Sequence, residues 1–350
     1  MSDSIYQLAQ KAKYKSLEAK AELEKRFSTS INTGLTGFNG ESIVYNISSE
    51  MKESLGFIQN NINKITKSDY KEVIIFDSYY SATIEGAKTT IEEVRQAYRS
   101  KNKTKSQKMV LNSIAANKYA IDNGITQDNI RAIWEMIVQD VCENSNLKGS
   151  MYRSGMVYVA NEIGDIIHQP CSTENIEKYM SALFKRKYTN ILIDACITHF
   201  YFVYIHPFCD GNGRIARTWL YSDLIRKYNS NFKYVSISSE IFNNINSYYK
   251  TLKESEFIYG NKINITTFIE YILNCICEAI NKGITNNIKL SETEKFILNK
   301  INRDGITVRK LSTSKYSESS IRVSLRRLEE NGIIYKIKEG RHNRYFKSTT

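Results

Sequence analysis

Residues 206–217, HPFCDGNGRIAR, bring together side chains that could carry out metal-assisted phosphate chemistry. His206, with an unperturbed pKa of about 6.5, is suited to take a proton from an attacking hydroxyl at neutral pH. Asp210 offers the oxygen ligand that Mg²⁺ prefers, and phosphate oxygens can share its coordination shell. Arg214 and Arg217 can pair in a bidentate way with phosphate oxygens. The segment therefore predicts a site for a phosphate-containing ligand and a divalent cation.

The elements on either side of this segment should bring its groups together. Residues 190–205 are apolar on nearly all sides, which predicts a buried central helix. Pro207 ends that helix and places the histidine at its exit. The next helical pattern begins soon after Gly213, so the Gly211-Asn212-Gly213 stretch should lie at a helix N-terminus. Free N–H groups and the helix dipole favour an anion at such a position.

The segment resembles the signature of the Fic family, H-P-F-x-[D/E]-G-N-G-R-x-x-R, at every specified position. The stretch YRSGMVYV at 152–159 is similar to the start of the family's β-hairpin flap, and residues 191–208 are similar to its central helix. Residues 247–255, SYYKTLKES, resemble its helix on the adenine side. The resemblance covers about residues 70–280. It implies a mainly α fold, a Fic-type helical bundle with a small β-hairpin flap.

The resemblance implies a protein adenylyltransferase, which transfers AMP from ATP to a Ser, Thr or Tyr hydroxyl of a target protein or of itself. His206 would be the general base, and Asp210 would bind Mg²⁺ or Mn²⁺. The anion hole and the phosphate and adenine contacts are assigned to Gly211, Asn212, Gly213, Arg214, Arg217, Tyr248 and Leu252. The competing hypothesis is a transcriptional regulator whose domain senses a nucleotide without transferring it. The intact His206 and Asp210 favour the enzyme, because a sensor needs neither.

Residues 81–86, SATIEG, match the family's inhibitory motif, [S/T]-x-x-x-E-[G/N], through Ser81, Glu85 and Gly86. The resemblance implies that the Glu85 carboxylate reaches Arg217 and occupies the guanidinium that would hold the γ-phosphate of ATP. It also raises removal of AMP as a second activity, with Glu85 orienting a water. The same residues are typical of a helix C-terminus that Gly86 follows, and both interpretations can hold together.

The other histidines and the six cysteines predict no further catalytic or metal site. His168 and His199 could join His206 in a metal site, but no carboxylate or cysteine is spaced to complete it. His199 lies on the apolar helix and is interpreted as a hydrogen-bonded core histidine. No C-x-x-C pair occurs, so the cysteines are interpreted mainly as reduced core thiols, and Cys209 of the motif is given little weight as a nucleophile.

The C-terminal residues form a second region, whose charge balance is strongly basic. The chain carries a formal net charge of +12, and residues 290–350 contain fourteen Lys and Arg against seven Asp and Glu. Ser291 and Glu294 form a capping-box pattern, and the helix and hairpin patterns that follow resemble a DNA-binding winged helix. The predicted contacts to duplex DNA are Arg322, Arg326, Arg327, Arg341 and Arg344. A protein-docking winged helix is the alternative.

These patterns divide the chain into three regions. Residues 1–66 are expected to be a helical and extended N-terminal region, in which 3–27 show the pattern of one helix. Residues 67–285 are expected to be the catalytic domain with its inhibitory helix, and residues 289–350 a winged helix-turn-helix domain of the α+β class. No signal peptide and no bilayer-spanning run is apparent, so a cytoplasmic protein without membrane contact is expected. A homodimer is considered as well.

Overall fold

The computed structural model describes residues 3–13, 16–142, 151–160, 166–285, 291–301, 305–312, 316–330, 334–339 and 342–347. The chain divides into two compact units, Met1–Ile280 and Asn281–Thr350. The residues that were expected to form a separate N-terminal region belong to the first unit. No helix in the described ranges combines the length and the apolar character needed to cross a membrane.

The first unit is mainly helical, as the resemblance implies. Its α-helices are α1 (Ile5–Lys13), α2 (Leu17–Ser28), α3 (Ser49–Asn61), α4 (Tyr70–Ile84), α5 (Ile91–Ala97), α6 (Lys105–Asn123), α7 (Ile130–Val138), α8 (Ile176–Lys185), α9 (Ile191–Ile205), α10 (Asn212–Asp223), α11 (Ile237–Asn243), α12 (Ile245–Ser255) and α13 (Thr266–Thr285). The division between the two units falls inside α13.

Helix α9 forms the centre of this unit. All of its residues except Ile191 and Val203 are buried, which confirms the prediction of a buried central helix. The Asn190 side chain caps its start by accepting hydrogen bonds from two backbone N–H groups of the first turn. Helix α10 packs along α9, and the Phe202 and Trp219 rings meet edge to face at 5.8 Å. Helix α9, which precedes the motif, and helix α10, which contains its second half, are therefore fixed to each other through aromatic packing.

Two small sheets accompany the helices of the first unit. The strands β1 (Ile31–Thr36), β2 (Ser42–Tyr45), β5 (Ile258–Tyr259) and β6 (Lys262–Asn264) form one sheet in the order β1-β2-β6-β5. Strands β2 and β6 pair in parallel, and the other neighbours pair antiparallel. The second sheet is the antiparallel pair β3 (Val159–Ala160) and β4 (Ile166–His168), which corresponds to the expected flap hairpin.

The N-terminal residues differ from the single helix that their pattern predicted. They form α1 and α2, and Ser16 begins the second helix because its side chain accepts a hydrogen bond from the Ala19 N–H. A serine at this position satisfies a free backbone donor, so it favours a new helix start over a continuous helix. The following segment supplies β1 and β2, which join the sheet of residues 258–264.

The second unit is a small α+β body with its own core. It contains α14 (Glu292–Lys300), β7 (Ile306–Thr307), α15 (Val308–Leu311), α16 (Glu318–Glu330), β8 (Ile334–Glu339) and β9 (His342–Lys347). The order of its strands in the sheet is β7-β9-β8. The core of this unit includes Ile297, Leu311 and Leu325. The predicted capping box of Ser291 and Glu294 is present. The assignment of this unit to the winged-helix class stays a prediction.

Candidate active site

His206 stands at the C-terminal end of α9 in the left-handed region, with φ 52° and ψ 61°. Its Nδ1 lies 3.3 Å from the Val203 carbonyl oxygen, which can only accept. The tautomer that donates from Nδ1 leaves the Nε2 lone pair free to accept a proton. Burial, and next the charge of His168, lower the pKa of His206 to about 4. The imidazole is therefore neutral at pH 7, as a general base must be.

The loop after His206 is held by internal contacts of its own residues. The Asn212 side chain accepts from the Phe208 N–H at 3.0 Å and donates to the Phe208 carbonyl at 2.7 Å. The Phe208 ring is buried and stacks on Trp134 at 5.2 Å. Gly211 has φ 84°, and a Cβ there would come within 2.9 Å of an Ile137 methyl group. Asn212 thus shapes the loop through its side chain, which leaves only its backbone for the predicted anion hole.

Asp210 and Arg214 form a fixed pair on the motif. Arg214 NH2 donates to Asp210 Oδ1 at 3.1 Å, and NH1 donates to the Ile137 carbonyl at 3.2 Å. The Arg214 side chain is 1% exposed, whereas that of Asp210 is 42% exposed. In this arrangement Arg214 orients the Asp210 carboxylate. A contact between Arg214 and a phosphate stays a prediction.

The exposed carboxylate of Asp210 fits the binding of a hard divalent cation. Its Oδ1 is fixed by Arg214 and the Gly211 N–H, and Oδ2 meets no donor among the described residues. Mg²⁺ commonly takes one or two carboxylates together with waters and phosphate oxygens. In the described part of the chain no three His, Cys, Asp or Glu side chains are grouped to hold a metal by themselves. A cation here would consequently rely on the phosphates of a ligand.

Glu85 meets Arg217, as the inhibitory interpretation expects. Arg217 NH2 donates to Glu85 Oε1 at 2.7 Å and to the Ser81 carbonyl at 2.8 Å, and its Nε donates to Ser81 Oγ at 2.9 Å. The Arg217 side chain is 2% exposed and that of Glu85 is 27% exposed. A Cβ at Gly213 would overlap the Glu85 carboxylate, so glycine is what allows this approach.

Residues 81–86, SATIEG, also form the end of a helix, as the second interpretation of this segment predicts. Helix α4 ends at Ile84, the Glu85 N–H bonds back to the Ala82 carbonyl, and Gly86 has φ 85°. Glycine adopts that left-handed conformation without steric cost. The helix therefore stops at the point where the Glu85 side chain can turn toward Arg217.

Some of these groups line one cleft, whose empty space is about 570 Å³ when solvent at its open mouth is included. Six residues that the sequence singled out line it: Glu85, His206, Gly213, Arg217, Tyr248 and Leu252. Five others also line it: His168, Val203, Tyr249, Lys253 and Glu256. The positions on α12 could have been found from helical spacing, because Tyr249, Lys253 and Glu256 are three or four residues apart. No spacing pattern in the sequence places His168 at the cleft.

Two buried histidines make polar contacts with residues that line the cleft or lie beside it. His168 Nε2 lies 2.7 Å from the Tyr204 carbonyl, and its Nδ1 lies 2.7 Å from Glu256 Oε1, so it links β4 to α9 and to the end of α12. His199 is fully buried, and its Nε2 lies 2.8 Å from the Tyr248 hydroxyl. Burial, and next the charge of Arg217, lower the pKa of His199 to about 3. The interpretation of His199 as a hydrogen-bonded core histidine is confirmed.

The basic side chains of the second unit do not all lie together. A shallow depression is lined by Arg322, Arg326, Glu329, Lys336 and Tyr345. Arg327 instead lies 3.5 Å from the buried Glu294 carboxylate. Arg344 lies on β9, and Arg341 lies outside the described residues. The structure thus groups two of the five predicted DNA contacts and adds Lys336 to them.

Comparison with protein families matches residues 124–222 to the Fic/DOC family, so the chain carries a Fic domain. Two curated relatives are both called protein adenylyltransferase Fic. The relative from Nematostella vectensis is 29% identical over 232 residues, which are 61% of this chain and 50% of that protein. The relative from Drosophila erecta is 25% identical over 253 residues, which are 67% of this chain and 48% of that protein. The chain spans about half the length of these relatives.

Solved structures share the fold. A Fic family protein from Desulfovibrio desulfuricans G20 aligns with a TM-score of 0.61 over 87% of this chain and 98% of that chain, at 19% identity. A Fic-domain-containing signalling protein from Bacteroides thetaiotaomicron VPI-5482 aligns with a TM-score of 0.51 over 67% of this chain and 96% of that chain, at 20% identity. At these identities the likeness concerns the fold alone.

Proposed function

We propose that this chain, which carries a Fic domain, is a protein adenylyltransferase that moves AMP from ATP to a hydroxyl side chain of a target protein and of itself. The observation that carries the proposal is the convergence of His206, Gly213 and Arg217 on one cleft, with the exposed Asp210 carboxylate four residues after His206 on the same motif. A neutral base, a helix N-terminus and a guanidinium at one cleft suit nucleophilic attack on a phosphate. The names of the curated relatives agree with this activity.

In this reaction His206 Nε2 accepts the proton of the attacking hydroxyl. The hydroxyl oxygen forms a bond to the α-phosphorus of ATP, the bond to the β-phosphate oxygen breaks, and pyrophosphate leaves. Backbone N–H groups at the start of α10 and the Arg217 guanidinium hold the phosphates. Mg²⁺ or Mn²⁺, for which Asp210 would be the protein ligand, supplies charge neutralisation at the phosphates when bound.

The contact of Glu85 with Arg217 supports autoinhibition as a part of the proposal. A guanidinium paired with Glu85 and Ser81 is not free to bind the γ-phosphate, so ATP would bind with its phosphates misplaced for in-line attack. Glu85 also faces the cleft, where it could orient a water for removal of AMP from a modified hydroxyl. In that hydrolysis the water oxygen bonds to the phosphorus, the bond to the side-chain oxygen breaks, and AMP and the free hydroxyl result; this activity belongs to the same proposal.

Intact-mass spectrometry after incubation with ATP and Mg²⁺ tests the enzyme without knowledge of its target. Addition of one adenylyl group to the chain is the expected result. His206→Ala should abolish the addition and leave ATP binding intact, because it removes only the base. Asp210→Ala should weaken ATP binding in the presence of Mg²⁺ but not in its absence. Adenylylation of His206→Ala at the parent rate would contradict the mechanism.

The second candidate function is DNA binding by the second unit. It is favoured by the grouping of Arg322, Arg326 and Lys336 around one depression. The chain would then be a transcriptional regulator with a nucleotide-sensing Fic domain, or an enzyme that is brought to DNA. The adenylyl-transfer assay separates the two, because a pure sensor binds ATP without modifying itself. A homodimer is tested by light scattering of the full chain.

A further inference from the structure

Arg153 is a buried cation that binds only carbonyl groups in the described structure. It is 3% exposed, and no carboxylate of the described residues pairs with it. Its Nε donates to the His206 carbonyl at 2.8 Å, NH1 donates to the Gly155 carbonyl at 2.9 Å, and NH2 donates to the Cys171 carbonyl at 2.5 Å. Its backbone N–H donates to the Pro207 carbonyl at 2.9 Å.

The position of the Arg153 guanidinium explains why it contacts carbonyl groups. It lies at the C-terminal end of α9, where unpaired carbonyls and the negative end of the helix dipole attract a cation. His206 has φ 52° there, a conformation that a residue other than glycine keeps only when its surroundings impose it. The contacts of Arg153 with the carbonyls of His206 and Pro207 fix the two peptide units that follow that strained position.

We propose that Arg153 is a positioning residue, which holds the His206 backbone in its left-handed conformation and ties it to both ends of the β3–β4 hairpin. Gly155 precedes β3 and Cys171 follows β4, so one guanidinium joins the two ends of the hairpin to the catalytic histidine. A shift of the hairpin would move His206 through this single group. The catalytic part of the inference rests on the proposed function.

The charge of Arg153 has a second effect on the imidazole. Among the charged or titratable groups, His168, Glu85 and Arg153 act most strongly on His206, and Arg217, Tyr248, Tyr249, Lys253 and Glu256 line the same cleft. Burial and His168 lower the pKa of His206 most, Glu85 raises it, and Arg153 lowers it further. Removing the positive charge at position 153 should consequently raise the pKa of His206. This readout does not depend on any enzymatic activity.

The variants Arg153→Lys and Arg153→Gln test the proposal, with Arg186→Lys as the matched control. Arg186 is also a buried arginine, with its side chain 7% exposed, and it pairs with Asp194 on the first turn of α9. All three changes are made in the Glu85→Gly background, in which the proposed inhibition is absent. The measurements are kcat and KM for AMP transfer, ATP binding, the thermal midpoint, and the NMR titration of the His206 imidazole.

The position 153 variants should lower kcat at least about tenfold, since a small misplacement of a reacting group costs this much or more. Their KM for ATP should stay within about twofold, and Arg153→Gln should raise the pKa of His206. Arg186→Lys should lower the thermal midpoint and leave kcat and that pKa unchanged. The proposal is overturned if kcat falls only in step with the thermal midpoint in all three variants, or if the pKa of His206 does not move in Arg153→Gln.

The outcomes also separate this inference from the proposed function. If Glu85→Gly transfers no AMP, the proposed function fails, and the titration of His206 still decides whether Arg153 acts on the imidazole. If Arg153→Gln does not fold, Arg153→Lys keeps a cation but lacks the three-way fork of the guanidinium. A loss of kcat in that variant, with a thermal midpoint equal to that of Arg186→Lys, supports positioning.

Discussion

At the scale of single residues, the site depends on two carboxylate–arginine pairs with different geometry. Asp210 and Arg214 are four positions apart on the motif, and their contact leaves the carboxylate 42% exposed. Glu85 and Arg217 are 132 positions apart, and the arginine is almost completely buried. The first pair leaves a carboxylate oxygen of Asp210 exposed for a ligand, whereas the second pair keeps the Arg217 guanidinium from binding a ligand. Charge-assisted hydrogen bonds are stronger than neutral ones, so the second pair should control access to the cleft.

Glu85→Gly should raise AMP incorporation into the chain by about ten- to a hundredfold. The reason is that a hydrogen bond to a charged group contributes about 1.5–3 kcal/mol, which sets the occupancy of the productive phosphate position. Incorporation of radiolabelled AMP by the parent and the variant measures the effect. The control is Glu72→Gly, because Glu72 lies in the first turn of α4, the helix that ends just before Glu85, and pairs with the exposed Arg95.

Combining Glu85→Gly with Arg217→Ala should remove the gain, because the released guanidinium is what binds the phosphate. Equal incorporation by parent and Glu85→Gly would mean that Glu85 only shapes the end of α4.

The rate of AMP transfer should depend on pH through the His206 imidazole. The base acts when neutral, so activity should fall as pH drops through about 4 and should show no inflection near 6.5. The profile of kcat/KM, which reports the free protein, measures this between acid and neutral pH, and in Glu85→Gly the inflection should move further toward acid because Glu85 raises this pKa. An inflection at 6.5 that belongs to His206 would contradict the neutral, buried base that the geometry indicates.

At the scale of elements, α9 carries polar groups through the centre of the first unit, and each has a defined role. His199 positions Tyr248 of the cleft, and His206 closes the helix. Asp194 pairs with Arg186 and accepts from the N–H of Asn190 at 2.6 Å. A helix so deeply buried tolerates polar side chains only where they are hydrogen-bonded. The same burial makes the stability of the unit sensitive to acid.

His199 should make the chain less stable as pH falls below about 6.5. Its pKa is about 3 in the fold and about 6.5 when unfolded, so the unfolded state binds more protons throughout that window. Stability is therefore fully present above the unfolded pKa and decreases toward acid, by at most about 1.4 kcal/mol per pH unit from this group. His199→Gln, which can still bond Tyr248 but does not titrate, should flatten this part of the curve. Urea unfolding at several pH values measures how the free energy of unfolding depends on pH. Equal slopes for the parent and His199→Gln would refute the assignment of this dependence to His199.

At the scale of the whole molecule, the chain joins a unit that contains the candidate active-site cleft to a basic second unit. Residues 290–350 hold twice as many basic as acidic side chains, and the structure gathers three of the basic ones around a depression. A local excess of positive charge favours a polyanionic partner. The same unit could instead dock a protein, so the partner has to be tested directly.

The full chain should bind a mixed-sequence DNA duplex with an affinity that falls steeply with salt, because bound cationic side chains release counterions from phosphates. The double variant Arg322→Ala/Arg326→Ala should weaken binding and reduce the salt slope by about two. Arg327→Ala is the control for the loss of a single positive charge from the same helix, since Arg327 lies beside Glu294, and it should weaken binding less than either Arg322→Ala or Arg326→Ala alone. Fluorescence anisotropy at several salt concentrations measures both. No binding of the parent at low salt would favour the protein-docking alternative.

The sequence by itself determined the parts of the site that local rules control. The apolar run of α9, the proline after His206 and the glycines of the loop fix where one helix ends and the next begins. The spacing from Gly213 to Arg217 places both on one face of α10, because residues four apart are neighbours on a helix. The capping box at Ser291 and the end of α4 at Gly86 follow from the same short-range preferences. Apart from the apolar run of α9, these features depend on about five consecutive residues or fewer, so the sequence specifies them without the fold.

Only the tertiary structure decided which distant groups meet. No local rule indicates that Arg153 binds the carbonyl of a residue 53 positions later. The places of His168 and Glu256 on the cleft likewise depend on how β4 and α12 pack against α9. Such contacts arise because burial of apolar faces sets the positions of whole elements, and polar side chains then pair with whatever that packing brings near.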